Sequence, residues 1–227
     1  MYNSIHHPRR GGKLGSRRTV YSAEGSSLSI RAMVFLAVQD ALKRGKTPRI
    51  AAGRNAHKVF ITAAALLDVQ VQWLYPAQSG SLLTCQITPE TLEEALRHGE
   101  PVTAVYITSP DYLGNVADIA GLSRVCRRYG CLLLVDNAHG AYQAFLEAQQ
   151  HPMTQGADLC CDSAHKTLPV LTGGGYLHIS SHAPVEFDSM ADSAMALFAS
   201  TSPSYLILQS LDAANGILDG RWQAALH

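Results

Sequence analysis

Lys166 stands in the run Ser163-Ala164-His165-Lys166-Thr167-Leu168-Pro169, directly after an apolar stretch that ends at Cys161. A lysine so placed at a strand end, with hydroxyl and imidazole neighbours, reads as half-buried. Desolvation then lowers its proton affinity and makes the amine nucleophilic toward carbonyl carbon. A second apolar run, Leu132 to Val135, ends on the carboxylate of Asp136. A nucleophilic amine and a carboxylate that keeps a ring nitrogen protonated are the two groups required by pyridoxal 5′-phosphate (PLP). Singly, Lys166 reads as a surface ammonium and Asp136 as a turn cap; together, at two strand ends, they point to that cofactor.

A phosphate group asks for backbone N–H donors and hydroxyls at a helix N-terminus. Glu24-Gly25-Ser26-Ser27-Leu28 offers them at the start of the first long amphipathic stretch, with Ser26 and Ser27 as the hydroxyls. Small hydroxyl residues also cap ordinary helices, so the segment gains meaning only beside Lys166. His57 follows Gly53-Arg54-Asn55-Ala56 and opens the next helix. Its imidazole either stacks on a pyridine ring or satisfies a local backbone group. His139, three residues after Asp136, either meets the cofactor region or bonds the backbone.

Other chemistries fit less well. Cys160, Cys161, Asp162 and His165 lie close enough in sequence to suggest a metal site. Adjacent residues of a strand point to opposite faces, so the two cysteines do not share one ion, and no metal is expected. A serine-hydrolase elbow G-x-S-x-G and a phosphate loop G-x-x-x-x-G-K-[ST] are both missing from the sequence.

The elements that must position these groups alternate between short apolar runs and amphipathic stretches, the pattern of β-α units. Strands are predicted at Arg49–Ala52, Val69–Leu74, Val102–Thr108, Cys131–Asp136, Ala157–Cys161 and Tyr176–Ile179. Their consecutive apolar positions suit a parallel sheet covered on both faces. Helices are predicted at Ser27–Lys43, His57–Leu67, Pro89–Arg97, Ile119–Tyr129 and Ser204–Leu218. Thr88 before Pro89, and Asp118 before Ile119, are the expected N-caps. Ligands of such sheets collect at the carboxyl ends of the strands, where Asp136 and Lys166 fall.

The chain has 227 residues, 47% hydrophobic and 16% charged, which excludes disordered, collagenous and membrane-spanning classes. Eighteen basic residues balance eighteen acidic ones, so no global footprint for nucleic acid or an anionic membrane exists. Five cysteines without a CxxC pair and no signal segment point to a reducing cytoplasm. Residues 1–18 carry Arg9, Arg10, Lys13, Arg17 and Arg18 without an acid and read as a flexible basic tail.

These residues resemble the major domain of the Orn/Lys/Arg decarboxylases, fold type I PLP enzymes related in fold to aspartate aminotransferase. The likeness spans about Thr19 to Leu218 and is most specific at Ser163-Ala164-His165-Lys166-Thr167-Leu168-Pro169, similar to the family's S-x-H-K-T-L-P motif. EGSSLSIRAM, GRNAHK, ITSPDYLG, LLVDNAHGA and STSPSYLILQSLDAA support it. The resemblance implies a three-layer α/β/α domain over residues 19–220 with a mostly parallel central sheet. It implies Lys166 as the cofactor-bearing lysine, Asp136 as partner of the pyridinium nitrogen and His57 as the stacking imidazole. Ser26, Ser27, Ser163 and His165 would hold the phosphate. Thr201 and Ser202 would reach the cofactor of a dimer partner, so a homodimer is implied.

The implied activity is decarboxylation of lysine, arginine or ornithine to the corresponding amine, as in polyamine biosynthesis. Full-length relatives have a longer amino-terminal arm and a carboxy-terminal small domain, so the chain reads as a truncated major domain. Two rivals remain: another fold type I activity such as a cysteine desulfurase-like lyase, and a non-catalytic PLP-binding fragment.

Overall fold

The structure, a computed structural model, describes residues 14–77, 84–146, 148 and 150–218. Seven strands form one sheet in the order β1-β7-β6-β5-β4-β2-β3. They are β1 (Ser16–Ser22), β2 (Arg49–Gly53), β3 (Gln70–Leu74), β4 (Ala104–Thr108), β5 (Leu132–Asp136), β6 (Leu159–Asp162) and β7 (Gly175–Ser180). From β6 through β3 all pairing is parallel, whereas β7 runs antiparallel to both neighbours. The sheet is therefore mostly parallel, as expected.

Side chains alternate across it as the period of two requires. On β4, Ala104 and Tyr106 enter one core, with Leu134 of β5 and Cys161 of β6. Val105 and Ile107 enter the opposite core, with Leu133, Val135 and Cys160. Helices α1 (Gly25–Lys43), α2 (Lys58–Leu66) and α6 (Glu186–Phe198) cover the first face. The second face is covered by α3 (Pro89–His98) and α4 (Ile119–Tyr129). Beyond the four-residue α5 (Ala164–Thr167), α7 (Tyr205–Leu218) packs with Tyr21 and Tyr176 at the β1–β7 end. The result is three layers, α/β/α.

Both expected caps form. The Thr88 hydroxyl accepts from the Thr91 N–H at 3.2 Å, and the Asp118 carboxylate accepts from the Gly121 N–H at 2.8 Å. α4 stops at Gly130, whose φ of 65° is the left-handed conformation that glycine adopts without a Cβ clash.

Two elements differ from expectation. The basic segment is sheet from Ser16 onward, because Arg17 pairs with Asp188 at 2.7 Å and Arg18 with Asp192 at 2.8 Å. Both acids lie on α6, a helix beyond those predicted from the sequence. Residues 1–13 of the segment, and 219–220 of the expected domain, lie outside the described residues.

Candidate active site

Parallel strands bring their carboxyl ends to one edge of the sheet, and β7, being antiparallel, begins at that edge. A cleft of about 300 Å³ opens there. Ser26, Ser27, His57, Asp136, His139, Ser163, His165 and Lys166 all line it, drawn from four separate segments. Thr201 and Ser202 are exposed and stand outside it.

The α1 terminus is built by Gly25. Its φ of 65° turns the chain from β1 into the helix, and its N–H donates to the Gly173 carbonyl at 2.6 Å. Ser163 Oγ donates to Ser26 Oγ at 2.7 Å, so the β6 end and the helix start are joined. The His165 Nδ1–H donates to the Gly174 carbonyl at 2.9 Å, and its ring lies against Gly25. Gly175 passes so close that an added Cβ would sit 2.9 Å from Gly25 backbone. N–H groups, hydroxyls and an imidazole thus converge on one spot.

Asp136 is the buried end of the site, 2% exposed. Tyr106 donates its hydroxyl to Oδ2 at 2.9 Å, Ala138 its N–H to Oδ1 at 3.2 Å, and the Cys161 thiol lies 3.6 Å from Oδ1. Thr108 pairs with Asp136 across the sheet, which sets Tyr106, two residues earlier, on the same face. Burial first, and then the carboxylate, push the Tyr106 phenol well above its ordinary range, so it stays a donor. Phe60 stacks on Tyr106 with centroids 4.2 Å apart and fixes the ring.

Lys166 is exposed, which corrects the half-buried placement expected of it. The short α5 turns at the strand end and leaves the side chain in the open cleft. Its Nζ lies 3.0 Å from His139 Nε2. Burial and the Lys166 ammonium lower the His139 pKa, with Asp136 opposing, so the imidazole is neutral near pH 7. His57 Nδ1 accepts from the Val59 N–H at 3.2 Å, capping α2 while the residue lines the cleft.

Beneath this edge lies a cluster that sequence reasoning missed. Asp162, 3% exposed, accepts from Asn137 Nδ2 at 2.7 Å and faces the Nε2 atoms of His151 and His178, each 3.1 Å from Oδ2. Burial alone would raise this carboxyl; the two imidazoles overcome burial and hold it well below the usual range. Cys160 shares the face, and potential ligand atoms of His151, Cys160 and Asp162 lie within 4.8 Å of one another. The Met153 N–H points at His151 Nδ1 at 3.3 Å, which places the ring proton on Nε2. Nε2 therefore donates to Asp162, and the cluster reads as a hydrogen-bonded knot. Asn137 ties it to Asp136, the preceding residue.

The residues fit PLP. Thr108 Oγ1, on the cleft wall, is buried without a hydrogen-bond partner among the described residues. Asp136 offers a carboxylate anchored from behind, and the α1 terminus offers a cradle suited to an anion.

Comparison with known proteins agrees with this geometry. A model of the family described as Orn/Lys/Arg decarboxylase, major domain, matches residues 13–226. The uncharacterized protein YaaO of Bacillus subtilis (strain 168) is 33% identical over 204 residues, covering 88% of this chain and 41% of that protein. An arginine decarboxylase of Halalkalibacterium halodurans is 29% identical over 202 residues, covering 88% of this chain and 40% of its own length. The chain thus spans about two fifths of these curated relatives. Lysine decarboxylase A from Pseudomonas aeruginosa superposes with a TM-score of 0.76 at 20% identity, over 94% of this chain and 30% of that one. Oryza sativa TDC, solved with PLP and tryptamine, gives 0.61 at 19% identity, over 71% and 37%. These superpositions match the three-layer fold.

Proposed function

Because the chain belongs to the Orn/Lys/Arg decarboxylase family through its major domain, we propose that its cleft binds PLP on Lys166 and serves decarboxylation of a basic amino acid. The observation that carries this reading is the convergence of Lys166 Nζ, the buried Asp136 carboxylate and the α1 N-terminus in one cleft.

The parts divide by chemistry. Ser26 and Ser27 at the α1 terminus, with Ser163 and His165, would hold the phosphate by N–H, hydroxyl and imidazole contacts. Asp136 would hold the pyridinium N–H, and the imidazole of His57 would lie against the ring. Bound there, the cofactor supplies an electron sink for the pair left when carbon dioxide departs. Asp136, anchored from behind by the Tyr106 hydroxyl and the Ala138 N–H, would face the ring nitrogen and stabilise its N–H. Lys166 would be the amine that holds the cofactor and that a substrate amine displaces. His139, neutral and within reach of Nζ, holds the displaced amine near the strand end.

Homodimer formation belongs to the same reading, with Thr201 and Ser202 of one protomer completing the cleft of its partner. Their exposure outside this chain's own cleft supports it. Among the described residues no helix is long and apolar enough to cross a membrane. The test is product identity with PLP present. Carbon dioxide and an amine from arginine, lysine or ornithine are expected, whereas sulfide from cysteine would favour the desulfurase-like rival. PLP capture without any product would favour the non-catalytic one.

A further inference from the structure

After β4 the chain forms a loop over residues 109–115 that is built by a buried acid. The Asp111 carboxylate, 5% exposed, accepts from the Leu113 N–H, the Asn115 N–H and Asn115 Nδ2, each at 2.9 Å. The Asp111 N–H returns to the Asn115 carbonyl at 3.0 Å and closes the loop on itself. Pro110 packs on the turn after β5, where a Cβ added to Gly140 would meet its Cδ at 2.7 Å. These contacts make the loop a fixed support rather than a loose connection.

What the support holds outward is an aromatic ring. Tyr112 is 62% exposed and lines the cleft. Its ring stands at 60° to the His139 imidazole, centroids 5.2 Å apart, and His139 is the residue in contact with Lys166 Nζ. Tyr112 therefore sits on the Lys166 side of the cleft. A large aromatic kept in water by a satisfied framework is a contact surface.

The acids of the cleft narrow what that surface receives. Among the described lining residues the carboxylates are Glu24 and Asp136. Asp136 is buried under Tyr106, and Glu24 stands beside Gly25 at the α1 terminus with Oε1 taken by the Ser200 N–H at 2.7 Å. A cation arriving beside Lys166 meets the exposed Tyr112 ring instead of a carboxylate. Taking Lys166 as the amine that exchanges with an amino acid, as proposed above, we infer that Tyr112 receives the cationic end of the substrate side chain through a cation–π contact.

The test compares substrates that differ in charge and little in shape: arginine against citrulline, and lysine against norleucine. Affinities are read by absorbance titration and calorimetry on the PLP-loaded protein, for the wild type, Tyr112→Phe, Tyr112→Leu and Tyr112→Gln. Loss of the ring lowers the charged-to-neutral affinity ratio by about 3- to 30-fold in the Leu and Gln variants, while Phe stays within about twofold. The exposed ring supports no core, and Gln supplies a second ring-free variant should Leu fold poorly. An unchanged ratio in a folded ring-free variant overturns the inference. So does an unchanged ratio with weakened self-association, which would assign Tyr112, Leu113 and Val116 to contact with a second copy. PLP fixation to Lys166 is measured before any amino acid is added; if the wild type captures none, the parent reading falls first and takes this one with it.

Discussion

Replacing Asp162 by Ala removes the acceptor shared by Asn137 Nδ2 and the imidazoles of His151 and His178. Each N–H left buried without a partner costs about 1–3 kcal/mol, or about 3–9 kcal/mol for the set. Against this, the variant no longer desolvates a carboxylate, a relief of several kcal/mol. With about 3 kcal/mol of relief set against that range, the balance is a loss centred on about 3 kcal/mol. Urea unfolding at pH 7 should show it as a midpoint about 1–2 M lower.

The pH dependence gives a second handle on the same group. The Asp162 pKa is depressed in the folded state, so its contribution is fully present above the ordinary value of 3.8 and is lost as pH falls toward the folded value. The gap between wild type and Asp162→Ala should therefore shrink below pH 3.8, by up to about 1.4 kcal/mol per pH unit. Asp162→Asn, which keeps an acceptor without charge, should lose less at pH 7 and show a flatter acid limb. A midpoint for Asp162→Ala within about 0.3 M of the wild type, or a gap that stays constant from pH 5 to pH 3, would refute this reasoning.

Two further outcomes follow from the cleft. The His139 imidazole, lowered by burial and by Lys166, should titrate below 6.5 by NMR, and Lys166→Met should move its midpoint upward. Tyr106→Phe keeps the stack on Phe60 but removes the donor to Asp136, at a cost of about 1.5–3 kcal/mol for a hydrogen bond to a charged group; a denaturation midpoint equal to wild type would contradict the anchoring role given to that phenol.

The central strands and the site residues on them were legible in the sequence because each strand is apolar on consecutive positions and ends on a polar group. Leu132 to Asp136 shows this directly. β1 was not legible: five of the seven residues of SRRTVYS are polar, and its arginines are satisfied by Asp188 and Asp192, far away in sequence. α6, EFDSMADSAMALF, hides behind small residues, although Glu186 and Asp188 in its first turn were a usable start signal. Tyr106 and His151 left no local mark, since register and chain reversal alone bring them to Asp136 and Asp162. For Lys166 a strand-end position does not imply burial, because the four-residue α5 follows the strand and leaves the side chain exposed.

The measurement that bears most directly on the account is PLP capture: absorbance titration of the wild type and Lys166→Ala, followed by borohydride reduction and peptide mapping. A single fixed pyridoxyl group on the peptide containing Lys166, absent from the variant, is the expected result. No saturable absorbance change in the wild type, or a fixed group that persists in Lys166→Ala, would contradict it.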